Sequence, residues 1–67
     1  MTFRLLLNGE AIETTAGNLA DLLAERGMAG AKCATAVNED FVPGALRAET
    51  PLRAGDRVEI VTPQQGG

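Results

Sequence analysis

An α+β domain is the fold class this sequence predicts: a mixed sheet of four to five strands with one main helix packed on it. Three observations predict it. The chain opens on two short alternating segments joined by Asn8-Gly9. One stretch, residues 17–27, carries apolar residues at helical spacing and is marked at both ends. The remaining apolar segments are short, repeat every second residue and stop at turn formers. With 67 residues there is room for one domain. A chain of that size buries only about 60% of the surface its unfolded form exposes, so each buried side chain matters.

In TFRLLLNGEAIETT, Phe3, Leu5 and Leu7 alternate with Arg4 and Leu6, the period of a strand. Asn8-Gly9 is the strongest short hairpin signal, because both residues tolerate positive φ. Glu10–Thr14 reads as the returning strand, with Ala11 and Glu13 on one face and Ile12 on the other. In GNLADLLAERG, Asn18 is a good N-cap and Asp21 follows three residues later, near the positive end of the helix dipole. Leu19, Leu22 and Leu23 make one apolar stripe, and Gly27 can close the helix in the left-handed conformation. A helix of about ten residues is unstable alone, so its stripe must pack on the hairpin.

Residues 33–37 read as a third strand, Asn38, Glu39 and Asp40 as a turn, and Phe41-Val42 as a brief extended piece broken by Pro43-Gly44. ALRAETPLRAGD has no clean period and predicts a short bridge or turn, then a turn at Ala54-Gly55-Asp56. RVEIVT is the last strand, with Val58 and Ile60 on one face and Glu59 and Val61 on the other. The first and last strands are both apolar enough to be central. Pairing them in parallel puts the hairpin on one side and the third strand on the other, which is the ubiquitin-like β-grasp arrangement. The expected domain is 1–62, followed by a flexible tail, 63–67.

Composition excludes several function classes. Histidine is absent and Cys33 is the only cysteine, which argues against zinc, haem and an internal disulfide. A net charge of -3 and two aromatic residues argue against nucleic acid and against anionic membrane surfaces. No apolar run approaches the roughly 20 residues of a membrane span, and no secretion signal is visible. The expected location is the cytoplasm, the expected free state a monomer. Nucleophilic catalysis needs an activated group beside a base, and Cys33 has no histidine to activate it. It reads as a small buried side chain. Glu39-Asp40 reads as a solvated corner. The chain is therefore expected not to be an enzyme, to hold no metal and to bind no cofactor.

That leaves the end of the chain, TPQQGG. Five extended residues reach about 17 Å from the body. A carboxylate reacts only after activation, for example as an acyl-adenylate made from ATP by another protein. Glycine has no Cβ, so Gly66 and Gly67 can thread a narrow channel where a side chain would clash. The terminus reads as a substrate and the folded body as its handle.

The segments LLNGE, GNLADLLAERG, AVNEDFVP and AETPLRAGDRVEIVT, with the terminal GG, resemble the sulfur carrier proteins of thiamine biosynthesis, the ThiS family, in order and over nearly the whole chain. The resemblance implies a β-grasp fold and a modified terminus. A partner adenylating (E1-like) enzyme would use ATP to activate the carboxylate of Gly67. Sulfur from a donor such as a cysteine desulfurase or a rhodanese-type protein would convert it to a thiocarboxylate. That group would feed thiazole synthase. Gly66, Gln65 and Gln64 would thread the tail into the partners' active sites. Two departures stand out: GALR at residues 44–47, where the family often has a charged or polar stretch ending in tryptophan, and Gln64-Gln65 before the glycines.

Three other readings share parts of this pattern. The small subunit of molybdopterin synthase has the same fold and ending but tends to be longer, and the short length and AETPLRAGD favour the thiamine branch. A ubiquitin-like modifier would form isopeptides with lysines. A pure binding module would leave the tail inert. A carrier must also dock on its enzymes, and alternation along the strands turns Leu6 and Val61 outward, with Phe41 in a turn region. These three are the expected partner patch near the tail.

Overall fold

The structure, a computed structural model, describes residues 1–63. The strands are β1 (Phe3–Leu7), β2 (Glu10–Thr14), β3 (Ala34–Val37), β4 (Asp40–Val42) and β5 (Arg57–Val61), with helix α1 (Leu19–Glu25) between β2 and β3. A 3₁₀ helix, Gly44–Glu49, lies between β4 and β5. The five strands form one sheet in the order β2-β1-β5-β3-β4. β1 and β5 run parallel, and every other neighbouring pair is antiparallel. This is the arrangement expected from the two apolar central strands.

Alternation along the strands decides which face is covered. Leu5 on β1, Val58 and Ile60 on β5, Thr35 and Val37 on β3 and Val42 on β4 are buried. Leu19, Leu22 and Leu23 of α1 complete the core with Ala16 and Leu52. Leu5, Leu19, Leu22 and Val58 are no more than 1% exposed. At about 1.5–3 kcal/mol for each fully buried aliphatic side chain, these few residues supply much of the force that holds the domain together.

Both ends of α1 are built as the sequence suggests. Asn18 accepts a hydrogen bond at Oδ1 from the Asp21 amide at 2.8 Å, and its Nδ2 donates to the Asp21 carboxylate at 3.3 Å. At the other end Gly27 takes φ +75°. The Gly27 amide donates to the Ala24 carbonyl (3.1 Å) and the Met28 amide to that of Leu23 (2.7 Å), the crossed pair of a Schellman closure. Met28 then packs against the core. A buckle not visible in the sequence joins α1 to β2. The hydroxyls of Thr14 and Thr15 both donate to the Glu25 carboxylate, at 2.5 and 3.2 Å. The Thr14 bond, more than any other contact, holds that carboxyl below its ordinary value of 4.5.

Elsewhere the elements shift slightly from expectation. β3 begins at Ala34 rather than Cys33, and β5 ends at Val61 rather than Thr62. The stretch expected to be a turn holds the 3₁₀ helix. Pro43 cannot continue β4, and the Ala, Leu, Arg and Glu that follow are good helix formers. The expected bridge is a single contact, Asn18 with Pro51.

Both hairpin turns, β1–β2 and β3–β4, place an asparagine first. Asn8 and Gly9 have φ +52° and +84°; Asn38 and Glu39 have +52° and +73°. Glycine fits the second position of the first turn without strain, whereas Glu39 carries a Cβ into the left-handed region. Its exposed ion pair with Arg57 (3.6 Å) contributes little against that cost. Glu39→Gly is therefore expected to raise unfolding free energy by about 0.5 kcal/mol, the strain relief exceeding the added entropy of the unfolded chain. Urea titration measures it; a loss of stability would show the turn to be unstrained. Glu25→Gln is expected to be less stable than the parent above pH 4.5. A depressed carboxyl pKa stabilises above its unfolded value and ceases to do so as pH falls through the folded one. The gap should thus close on acidification, and stability curves that stay parallel would remove Glu25 from the buckle.

Candidate functional site

The chain leaves the sheet through β5, the central strand. Val61 ends that strand, and Thr62 and Pro63 follow, both exposed. The expected tail residues Gln64, Gln65, Gly66 and Gly67 lie outside the described residues. What the structure does define is the root from which they extend and the surface around it.

Two asparagine side chains hold β5. On the β1 side the strands share only the register pairs Leu6 with Arg57 and Leu7 with Val58. The Asn8 amide nitrogen donates to Val58 O at 2.8 Å, and there the backbone turns away into the hairpin. The Asn8 side chain continues the ladder. Its Oδ1 accepts from the Ile60 amide at 2.9 Å and its Nδ2 donates to the Ile60 carbonyl at 3.2 Å. On the β3 side, Asn38 Oδ1 accepts from the Arg57 amide at 3.0 Å, the Asn38 amide donates to Arg57 O at 2.7 Å, and Nδ2 donates to Asp56 at 3.1 Å. Sequence reasoning assigned both asparagines to turns and missed these second roles.

Arg47 braces the strand beside the root. Its Nη2 donates to Cys33 O at 2.7 Å and its Nε to Thr35 Oγ1 at 3.1 Å, while that hydroxyl donates to Val42 O at 2.8 Å. The GALR departure thus has a structural task, to tie the 3₁₀ helix to the start of β3. Cys33, Ala34, Val61 and Pro63 line an open depression of about 390 Å³ at the root. Cys33 was expected to be buried. It is instead half-buried, packed against the core from the edge of this depression, because β3 starts one residue after it.

The three expected patch residues are all on the face away from α1. Leu6 is 36% exposed, Phe41 68% and Val61 62%. They are not one patch. Phe41 pairs with Ala36 and Val61 with Ala34, so these four form a continuous apolar stripe beside the root. Leu6 pairs with Arg57 on β5 and with Ala11 on β2. Arg57 and Glu59, both exposed, separate it from the stripe. Leu46 of the 3₁₀ helix is exposed too, at 48%, and was not singled out from the sequence. Among the described residues, Glu39 and Asp40 sit in an exposed turn and no group of three His, Cys, Asp or Glu side chains could hold a metal ion. No helix among them is long and apolar enough to cross a membrane.

The family model described as "ThiS family" matches residues 5–67, which begins within β1 and takes in every later element of the fold. The chain belongs to the ThiS family. A crystal structure of the thiamine biosynthesis protein (ThiS) from Geobacter metallireducens superposes on it with a TM-score of 0.81 at 25% identity. The superposition covers 97% of this chain and all of that one. Among curated proteins, none matches. The β-grasp fold and the family resemblance read from LLNGE, GNLADLLAERG and GDRVEIV are thereby borne out.

Proposed function

We propose that this ThiS-family chain is a sulfur carrier for the thiazole moiety of thiamine, a co-substrate and not itself an enzyme. The observation that carries the reading is the placement of β5. The strand that leads to the C-terminus is the central strand of the sheet, held by β1 and β3 and by the side chains of Asn8 and Asn38, and it emerges beside an exposed apolar stripe. A body built in this way presents a tail and offers a surface by which another protein can hold it.

The chemistry follows from what a carboxylate lacks. An oxygen of the Gly67 carboxylate attacks the α-phosphate of ATP in a partner adenylating enzyme and expels pyrophosphate. A persulfide sulfur from the donor protein then displaces AMP. Once a thiol has cleaved the S–S bond, a thiocarboxylate remains on Gly67. That sulfur is a good nucleophile at neutral pH and passes to thiazole synthase. Gly66, without a Cβ, admits the tail to both active sites, with Gln65 and Gln64 behind it. ATP is consumed by the partner and not held by this chain. The thiol of Cys33 plays no part. The cytoplasm, where ATP and reduced thiols are supplied together, is the compartment proposed.

Incubation with the adenylating enzyme, ATP and a sulfur donor is expected to exchange oxygen for sulfur at Gly67. Tandem mass spectrometry must localise the change, since oxidation of Met1 or Met28 alters mass almost equally. A lysine adduct without sulfur would instead indicate a modifier, and an unaltered chain a binding module. For docking, Phe41→Asp is expected to raise KM for the adenylating enzyme about tenfold, the effect of removing one well-packed apolar anchor. Leu6→Glu, across the charged row from the stripe, should raise it less. Equal effects would show that the partner covers the whole outer face.

A further inference from the structure

We infer that Asn8 is a positioning residue for the chemistry at Gly67, acting through β5; the inference rests on the carrier reading above. The Ile60 amide and carbonyl both point toward β1, where no backbone is left to meet them, because the chain turns away at Asn8 with φ +52°. The Asn8 carboxamide has one donor and one acceptor side by side, as a strand peptide does. It meets both groups, at 2.9 and 3.2 Å. It therefore acts as one more rung of the parallel ladder, across 52 residues of sequence.

The position of that rung gives it consequence. Ile60 is one residue before the end of β5 and three before Pro63, which lines the root depression. On the other side, Val61 is held by Ala34, whose strand Arg47 braces. Removing the Asn8 amide leaves the last part of β5 fastened on one side only. Four residues separate Pro63 from the chain end, and an extended chain advances at most about 3.6 Å per residue. With so few residues beyond it, the position of the root sets the region that the terminal carbon can reach. Displacement on the order of 1 Å in a reacting group can cost up to a hundredfold in rate. The apolar stripe, by contrast, rests mostly on β3 and β4, which Asn8 does not touch. The end of β5 and most of the docking stripe are thereby supported by different contacts.

The test uses the full chain with its adenylating enzyme. Asn8→Gly preserves the positive φ of the turn and deletes only the amide. It is expected to speed hydrogen exchange at the Ile60 amide, to lower kcat for adenylation of Gly67 about tenfold and to leave KM within about twofold. Asn8→Asp keeps the acceptor but sets a carboxylate against the Ile60 carbonyl. It should lower kcat as well, and recover as pH falls and the protonated acid regains a donor. It also serves if the glycine variant folds poorly. A kcat equal to the parent's in either folded variant, or a loss confined to KM, would overturn the inference. A parent chain that is never modified at Gly67 would overturn the carrier reading itself, an outcome read from the parent alone.

Discussion

The parallel pairing of β1 with β5 is the constraint on which the rest of the structure depends. Parallel neighbours cannot be joined by a tight turn, so everything between them must serve as the connection. Here that connection contains the return of the hairpin, the helix, the β3-β4 pair and the 3₁₀ helix. The pairing itself is short, two register pairs in all. A junction that brief needs reinforcement, and it comes from side chains at the neighbouring turns. Asn8 extends the ladder from one side and Asn38 caps the start of β5 from the other. Each residue makes its turn and also fastens the central strand, so the turn geometry and the sheet register support one another.

From that constraint the two faces of the sheet acquire separate tasks. α1 covers one face, held by its own caps and by the Glu25 buckle to Thr14 and Thr15. Mixed and antiparallel sheets can leave their other face in water, and this one does. Leu6 and the stripe of Phe41, Ala36, Ala34 and Val61 lie on that uncovered side, with a charged row between them. Charges there limit the apolar area, which keeps the free chain from presenting one large adhesive patch. The carrier proposal needs a surface that holds a partner reversibly and a strand that places the tail, and the two are neighbours here.

Much of this was legible in the sequence because the strong signals are local. Alternation in FRLLL and RVEIV, the Asn8-Gly9 turn and the marks around Leu19–Glu25 led directly to the strand order. What escaped was long-range or weakly periodic. The 3₁₀ helix has too few residues to reveal a period, although helix formers after Pro43 were a usable hint. Arg47 enters the sequence reading only as the last residue of GALR, since nothing nearby in sequence announces the Cys33 carbonyl it binds. Asn8 had already been explained as a turn former, which hid its bond to a residue 52 positions away. The burial of Cys33 and the grouping of the outward-facing Leu6 with Phe41 and Val61 miss by small margins: a strand starting one residue late, and one intervening strand whose outward residues are charged. Periodicity shows which face a side chain takes but not which residues stand between it and its neighbours.

The central claim is that the folded body is the handle and the terminus the substrate. Comparing two fragments with the adenylating enzyme tests it most directly: a chain ending at Gln65, and a synthetic TPQQGG peptide. On this account the shortened chain competes with the intact carrier at a concentration near the carrier's own KM but is never adenylated, and the peptide is at best a very poor substrate. A peptide adenylated as efficiently as the whole chain, or a shortened chain that fails to compete, would contradict it.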